Sequence, residues 1–500
     1  MSIASHIKEV TVAGGSRTAI EFEDQQLSWG GLGASISGLE SRLAAGEAAE
    51  EFVGLLGRNR TEPVAAFVAA LGSGKSVLLV NAIRPATLVA KEVAELRLAC
   101  LLGTADDLVP EVLAAARECG TQVLELSLQN DAICYTERCP RGSGPFRTRG
   151  EGTLIEIQTS GTTGAPKRIP IAEHTIEASL RDGVRTARGT VEQAKLEPKT
   201  SPTLMFSPLV HTSGTFNTLM AVFEVRPIVL FEKFDAARFT QMLVRYRPRF
   251  VPLPPTAIKM MVDSAATRDD FSSVTAVRAG TAPLAVELQE AFESKFGVPV
   301  LTTYGATEFM GVVTSWTLED YRRFGKEKRG SVGRPSKGVE IRVIDADSGV
   351  EAAAGSVGVL EARLQRIDGG KSWIRTTDIA RIDEDGFLYV LGRSDDAIIR
   401  GGFKIMAGKV ADLIKRYPGV NEAIVIGRPD DRLGEVPVAV VEPGQGGGAL
   451  DAGALRLFAK EHLTPYEVPA RIHVVPRLPR TVSDKVSRVE VKAMLDAMES

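Results

Sequence analysis

Thr159-Ser160-Gly161-Thr162-Thr163-Gly164-Ala165-Pro166-Lys167 follows a short apolar run, 154–157, that reads as a strand. These residues bring hydroxyls, glycines and one ammonium into a single loop. Glycine tolerates φ > 0 and lets neighbouring N–H groups turn inward. Hydroxyls and N–H groups together form a concave donor surface for phosphate oxygens, and Lys167 adds a compact positive charge. Composition alone leaves two readings open, a phosphate cradle and a flexible Ser/Thr/Gly surface loop. The flanking sequence has to decide between them.

Upstream, strand-like and helix-like pieces alternate. Residues 18–22 and 27–29 read as strands leading into a helix at 32–43; 52–57 is a buried strand, 63–71 a helix and 76–80 a strand. The alternation continues through 98–102, 110–119 and 122–126. This order predicts an α/β fold with largely parallel pairing. Residues 137–152, rich in Gly, Pro and Arg, predict a linker. Gly72-Ser73-Gly74-Lys75-Ser76 imitates the end of a Walker A loop. The full pattern needs glycine where Ala69 stands, and the order around it is helix then strand, the reverse of a P-loop. It is read as a helix-to-strand turn.

Downstream, 186–202 is polar and expected to be exposed, and His174 is assigned no chemistry. Residues 250–255 and 274–278 predict strands of a second α/β half; 285–296 predicts an amphipathic helix stopped by Gly297. A β-rich stretch opens at Gly330-Ser331-Val332-Gly333-Arg334-Pro335, with strands at 340–344 and 357–362. The last hundred residues predict a small separate domain with strands at 420–427, 436–442 and 472–475 and a helix at 454–462.

Bulk properties narrow the class. Five hundred residues exceed one core, so at least two domains are expected. Hydrophobic content of 44% and charged content of 25% suit a globular protein. A net charge of −3 argues against a general nucleic-acid binder. The first residues lack the apolar core of a signal peptide, and the apolar run 77–83 is far short of the roughly 20 residues that span a bilayer. Cys100, Cys119, Cys134 and Cys139 do not form paired zinc spacings, so reduced thiols and a cytoplasmic location are expected.

The loop at 159–167 resembles the phosphate-binding loop of the adenylate-forming superfamily: acyl-CoA synthetases, adenylation domains of peptide synthetases and luciferases. Further segments match the same superfamily in order and spacing: 207–214, 280–284, 304–308, 330–335, 374–378, 392–405 and 478–488. The resemblance covers nearly the whole chain. It implies a large multi-lobed N-terminal domain, 1–394, with two α/β sheet lobes and a β-rich lobe. A small mobile α+β domain, 395–500, then turns about a hinge at Asp395.

The resemblance also implies roles. Thr159, Ser160, Gly161, Thr162, Thr163, Gly164 and Lys167 would hold the β- and γ-phosphates of ATP. Tyr304 would offer its ring to adenine, with Gly280, Thr281, Ala282 and Pro283 on the other side of the base. Asp378 and Arg393 would take the ribose. Thr307 would donate to the α-phosphate or the carboxylate, and Glu308 would hold Mg²⁺, a hard ion that prefers oxygen. His211, in Pro-Leu-x-His-x-x-Gly, would wall the acyl pocket together with Val210, Thr212, Ser213, Arg278, Gly305, Met310, Gly311 and Val312. Lys485 would meet the α-phosphate in the first half-reaction. Gly402, Phe403 and Lys404 would replace it for the second, in which coenzyme A attacks.

Four departures stand out: Arg168, Thr377 and Asp484 where glycine is usual, and Met406-Ala407-Gly408-Lys409 where relatives carry Pro and Glu. The expected activity is that of an AMP-forming acid–thiol ligase acting on a small carboxylic acid, with a separate carrier protein as the alternative thiol source. No carrier domain is expected after Ser500, and a homodimer is left open. A non-catalytic nucleotide-binding or interaction protein is the reading from another class; intact Lys167, Glu308, Asp378 and Lys485 speak against it.

Overall fold

The computed structural model describes residues 2–43, 51–158, 167–188, 196–345, 348–393, 396–400, 403–430, 433–444, 450–481 and 485–499. Its centre is a seven-stranded sheet. The spatial order is Ala132–Cys139, Gln122–Gln129, Cys100–Thr104, Phe52–Gly57, Ser76–Asn81, Thr153–Gln158 and Arg168–Ala172. The inner strands pair in parallel, with Val53 opposite both Val77 and Cys100. Every residue of Phe52–Gly57 is buried. Strands covered on both faces read as continuous apolar runs, which is how this one announced itself in the sequence.

The helix Thr61–Gly72 explains how this sheet joins the next. Eleven of its residues are buried, so it has no solvent face. Val64, Phe67, Val68 and Leu71 share one core with Ile3, Ile7, Ile20 and Ile36. That core extends to a second sheet, ordered Thr203–Met205, Ile228–Leu230, Thr18–Phe22 and Gln25–Ser28. A third sheet runs Phe250–Pro252, Ala276–Ala279, Val300–Tyr304, Thr314–Ser315 and Arg334–Pro335, its first three strands parallel. Its core is built on Phe239, Phe271, Phe292 and Phe296. The helix Val286–Phe296 ends at Gly297, which takes φ 68° as a left-handed cap.

An antiparallel meander follows: Val339–Ile344, Val357–Leu364, Ile374–Ile382 and Leu388–Arg393. Near the C-terminus, Ala397–Arg400, Phe403–Met406, Val420–Asp430, Gly434–Pro443 and Arg471–Val474 form a separate sheet. Helices Ala407–Lys415 and Ala452–His462 cover one face of it, and Arg488–Glu499 the other. The multi-lobed α/β architecture with a small α+β domain is as the resemblance implied.

Several local expectations are corrected. Residues 137–139 are not linker: they end the strand Ala132–Cys139, which pairs antiparallel with Gln122–Gln129. The pairing is mixed: antiparallel neighbours join the parallel strands in Gln122–Gln129 with Ala132–Cys139, Thr153–Gln158 with Arg168–Ala172 and Thr18–Phe22 with Gln25–Ser28. The strand expected at 98–102 lies at Cys100–Thr104. The one expected at 250–255 stops at Pro252, and Pro255 begins the helix Pro255–Asp263, where a missing N–H is harmless. Among the described residues no helix is long and apolar enough to cross a membrane. All four cysteines are free thiols.

Candidate active site

In open α/β sheets, ligands gather beyond the carboxyl ends of parallel strands. Three of the proposed site segments sit at such ends: 206–211 follows Thr203–Met205, 280–283 follows Ala276–Ala279, and 305–308 follows Val300–Tyr304.

Residues 159–166 and Asp395 lie outside the described residues, as do Gly402 and the side chains of Phe403 and Lys404. The posts of the phosphate loop are nevertheless defined. Gln158 pairs with Arg168 across an antiparallel ladder. Arg168 is tied below that ladder to Glu92, lies 3.9 Å from Glu156, and donates to the Leu79 carbonyl at 3.3 Å. Arg84 meets Glu92 from the other side, and Arg147 holds Glu156 at 2.9 Å. Burial lowers the Arg168 pKa to about 10, opposed by Glu156. Arg168 is thus part of a largely buried ion network with Glu92, Glu156, Arg84 and Arg147. Lys167 is exposed beside it.

The Walker look-alike is a structural turn. Ser73 N–H donates to Ala69 O at 2.9 Å, Gly74 N–H to Leu71 O and Lys75 N–H to Ala70 O, both at 3.0 Å, with Gly74 at φ 73°. The Ser76 hydroxyl is spent on the Thr153 carbonyl at 2.8 Å.

On the third sheet, the Tyr304 hydroxyl donates to the Asp378 carboxylate. Burial, then the Asp378 charge, pushes the phenol far above its usual pKa, so it stays protonated. Asp378 is aimed by its neighbours: its N–H donates to Thr376 Oγ1 at 3.1 Å, and Thr376 Oγ1 donates to Leu360 O at 2.9 Å. It stands opposite Arg393 in the ladder between Ile374–Ile382 and Leu388–Arg393. Segment 330–335 braces these two sheets. Ser331 O accepts from Thr302 Oγ1 at 2.7 Å and from Trp316 Nε1 at 2.9 Å, while Ser331 Oγ donates to Leu388 O at 2.9 Å. A Cβ on Gly280 would lie 2.6 Å from Thr303 Oγ1, so the backbone there stays bare. Thr281 has φ 71°, a strained conformation for a β-branched residue and one that clusters at functional sites.

Glu308 is exposed, and its carboxylate has no hydrogen bond or ion pair among the described residues. A hard divalent ion fits such a donor, with phosphate oxygens and water completing its shell. No group of three or more His, Cys, Asp or Glu among the described residues would hold a metal unaided. Thr307 is linked to the acyl side, since Thr212 Oγ1 donates to Thr307 Oγ1 at 2.9 Å.

His211 caps the helix Thr212–Phe223 through its backbone. Its Nε2 is buried with no hydrogen-bond partner among the described residues. Burial, and then the charge of Lys485, lowers its pKa to about 4. Lys485 in turn has a lowered pKa, through desolvation and the charge of Arg393. The charge of Lys485, which is exposed, is thus felt at His211, and that of Arg393 at Lys485. Arg480 is engaged with Glu442 at 3.4 Å within its own domain. The small domain also docks through Met406, which packs on Ile344, Val359 and Ile379, and through Arg416, 3.1 Å from Glu287.

Val210 and Met310 belong to one apolar core, with Phe216 and Met220 against it. Met310 and Gly311 turn through φ 40° and 151°, and a Cβ on Gly305 would lie 2.5 Å from Gly311 O. Thr212 and Ser213 open the helix beside His211. Arg278 lays its guanidinium 5.7 Å from the Phe250 ring centroid, and burial lowers its pKa.

Two supporting residues escaped the sequence reading. Asn59 is 3% exposed; its Nδ2 donates to Ser207 O and Phe231 O, and its Oδ1 accepts from Leu209 N–H at 2.8 Å. It holds the segment that carries His211, and its signal was a polar triplet, Arg58-Asn59-Arg60, at the end of an apolar strand. Arg366, discussed below, gave no periodic signal.

Residues 8–365 match the AMP-binding enzyme family and residues 409–485 the AMP-binding enzyme C-terminal domain; the chain belongs to this family. It is 28% identical over 443 residues to a 2-succinylbenzoate–CoA ligase of Lactococcus lactis, covering 88% of this chain and 90% of that protein. It is 29% identical over 346 residues to the 4-coumarate–CoA ligase-like 5 protein of Oryza sativa, where it spans 68% of this chain but only 61% of the relative. In fold it is similar to ATP-bound MatB from Rhodopseudomonas palustris, with a TM-score of 0.83 at 22% identity over all of both chains. The apo form of that protein gives a TM-score of 0.69 at the same identity.

Proposed function

We propose that this enzyme activates a carboxylic acid with ATP and transfers the acyl group to the thiol of coenzyme A. The observation that carries this reading is the linkage of Thr212 to Thr307 and of Tyr304 to Asp378, with Asp378 opposite Arg393 and Glu308 exposed beside Thr307; the charge of Lys485 felt at His211 supports it. In the first step a carboxylate oxygen of the acid attacks the α-phosphorus of ATP; the bond to the bridging oxygen breaks and pyrophosphate leaves. Lys485 and Thr307 steady the charge that shifts at the α-phosphate, and Asp378 and Arg393 orient the ribose, so positioning and electrostatics do the work. Glu308 would hold Mg²⁺, which when bound would supply charge neutralisation on the phosphates. Neutral His211 and the residues around Val210 and Met310 form the dry side that receives the acyl group.

In the second step the small domain turns near Asp395, taking Lys485 away and bringing 402–404 inward. A thiolate attacks the acyl carbon, the anhydride C–O bond breaks and AMP leaves. The names of the relatives, 2-succinylbenzoate–CoA ligase and 4-coumarate–CoA ligase-like 5, support coenzyme A as the acceptor. Domain boundaries at 394/395 follow from the same reading.

The test is a pyrophosphate-release assay over a panel of aryl, aliphatic and dicarboxylic acids, followed by addition of coenzyme A. Acid-dependent release with thioester formation is expected. Nucleotide binding with no release for any acid would favour a non-catalytic protein, and thioester only on a carrier-bound pantetheine would reassign the acceptor.

A further inference from the structure

We propose that Arg366 is a positioning residue for the acyl end of the site, fixing the 309–312 turn against which the acid is read. The inference deepens the adenylation reading and rests on it. Arg366 lies in the short helix Gln365–Asp368, at the end of the strand Val357–Leu364 in the β-rich lobe. Its side chain is 4% exposed. Nε donates to Phe309 O at 3.0 Å and one terminal nitrogen to Val312 O at 2.9 Å, so one rigid fork holds both ends of the turn.

That turn is strained at its centre. Met310 has φ 40°, a conformation that costs a non-glycine residue free energy and persists where the surroundings over-determine it. Gly311 follows at φ 151°, and a Cβ there would face the Arg366 guanidinium at 3.5–3.7 Å. The guanidinium thus covers one side of the turn as well as bonding its ends.

The turn belongs to the acyl side by its other contacts. Met310 shares a core with Val210, the residue before His211, and with Phe216 and Met220 of the helix Thr212–Phe223. Gly183, next to Asp182, faces Met220 and Phe216, with its Cβ position 3.0 Å and 3.5 Å from them. Asp182 Oδ2 stands 3.8 Å from Arg366, and His174 Nε2 contacts Ile367 O at 3.2 Å. The short helix therefore ties together the helix Glu173–Arg188, the turn after Glu308 and the β-rich lobe. At 3.8 Å the carboxylate is too distant for a hydrogen bond. The directional bonds of Arg366 go to the turn, and burial lowers its pKa only to about 10, which leaves it charged at neutral pH.

The experiment uses Arg366→Lys and Arg366→Gln in the full chain. An ammonium or an amide cannot bridge both carbonyls as the fork does. With the best acid of the panel, KM for the acid is expected to rise about 10- to 100-fold, and the order of preferred acids to change, because small misplacements at a reacting centre carry penalties of that size. KM for ATP should change less than KM for the acid: the turn adjoins Thr307 and Glu308, but the Tyr304–Asp378 bond and the pairing of Asp378 with Arg393 do not involve Arg366. Amide exchange of the Met310 and Val313 N–H groups, which bond Thr307 O and Tyr304 O, should quicken in the same variants. Unchanged exchange and unchanged acid KM would overturn the proposal. Parallel changes in acid KM, ATP KM and melting temperature would also overturn it, by showing general destabilisation. The exchange measurement decides the matter even where the wild-type protein turns over no acid, an outcome that would count separately against adenylation.

Discussion

Lowering the pH from 7 to 5 places a definite load on His211. In the folded protein its pKa is about 4, mainly through burial and secondly through Lys485; in the unfolded chain it returns to about 6.5. Between these values the unfolded chain binds the proton and the folded protein does not, so stability falls as pH falls. The shift of about 2.5 units corresponds to about 3.4 kcal/mol when fully developed below pH 4. At pH 5 the linkage relation gives about 2 kcal/mol lost relative to pH 7. The chain has five histidines, so imidazole signals in a ¹³C-histidine NMR titration are few enough to assign, His211 by its loss in His211→Gln. Its resonance should not titrate between pH 8 and 5. Urea unfolding at pH 7 and pH 5 should show wild type losing about 2 kcal/mol more than His211→Gln. Lys485→Ala should move the His211 midpoint upward. A midpoint near 6.5 in wild type, or identical pH dependence of the two proteins, would refute a buried neutral imidazole beside Lys485.

Four further outcomes are expected. Lys485→Ala should slow adenylate formation roughly 10²- to 10³-fold while pre-formed acyl-adenylate and coenzyme A still give thioester; a wild-type rate of adenylation would sink the assignment. Glu308→Gln keeps the shape and removes a charge, so activity should fall and its Mg²⁺ dependence weaken, with the circular dichroism spectrum unchanged. Arg168→Met should destabilise by about 3 kcal/mol, the low end for a broken buried pair, because Arg84 still faces Glu92 and Arg147 still faces Glu156; a melting temperature equal to wild type would contradict that network. Lys75→Ala should leave ATP-dependent pyrophosphate release within a few-fold of wild type, since Lys75 ends a helix cap; collapse of activity in a folded variant would revive the Walker reading.

The sequence was most readable where local chemistry and global fold agree. The strand at 52–57 was placed to the residue because every position is buried and apolar. The stop at Gly297 and the turn at 72–75 were readable because glycine answers a local backbone demand. The site segments were visible as motifs, since their residue types must recur in one order to meet one nucleotide. What stayed hidden depends on distant partners. Ala132–Cys139 carries a polar, half-exposed pattern, Tyr-Thr-Glu-Arg, that becomes a strand only by pairing with its neighbour. Asn59 and Arg366 act on carbonyls far away in the chain, and no periodicity marks such bonds. Arg168 looked like a damaged glycine position until Glu92 and Glu156 were seen beneath it.

The bond from Tyr304 to Asp378 has a bearing on nucleotide choice. With Asp378 in its proposed role, a ribose does not meet an idle acceptor. It meets a carboxylate already partnered by a phenol, so its hydroxyls either join that bond or take its place. Recognition is then a swap between donors, and its gain is set by how many donors the sugar offers. Two vicinal hydroxyls can satisfy both carboxylate oxygens; a 2′-deoxy sugar leaves the phenol as a competitor for one of them. The free enzyme thus sets its own threshold for sugar recognition, because the reference state is a made bond and not bulk water.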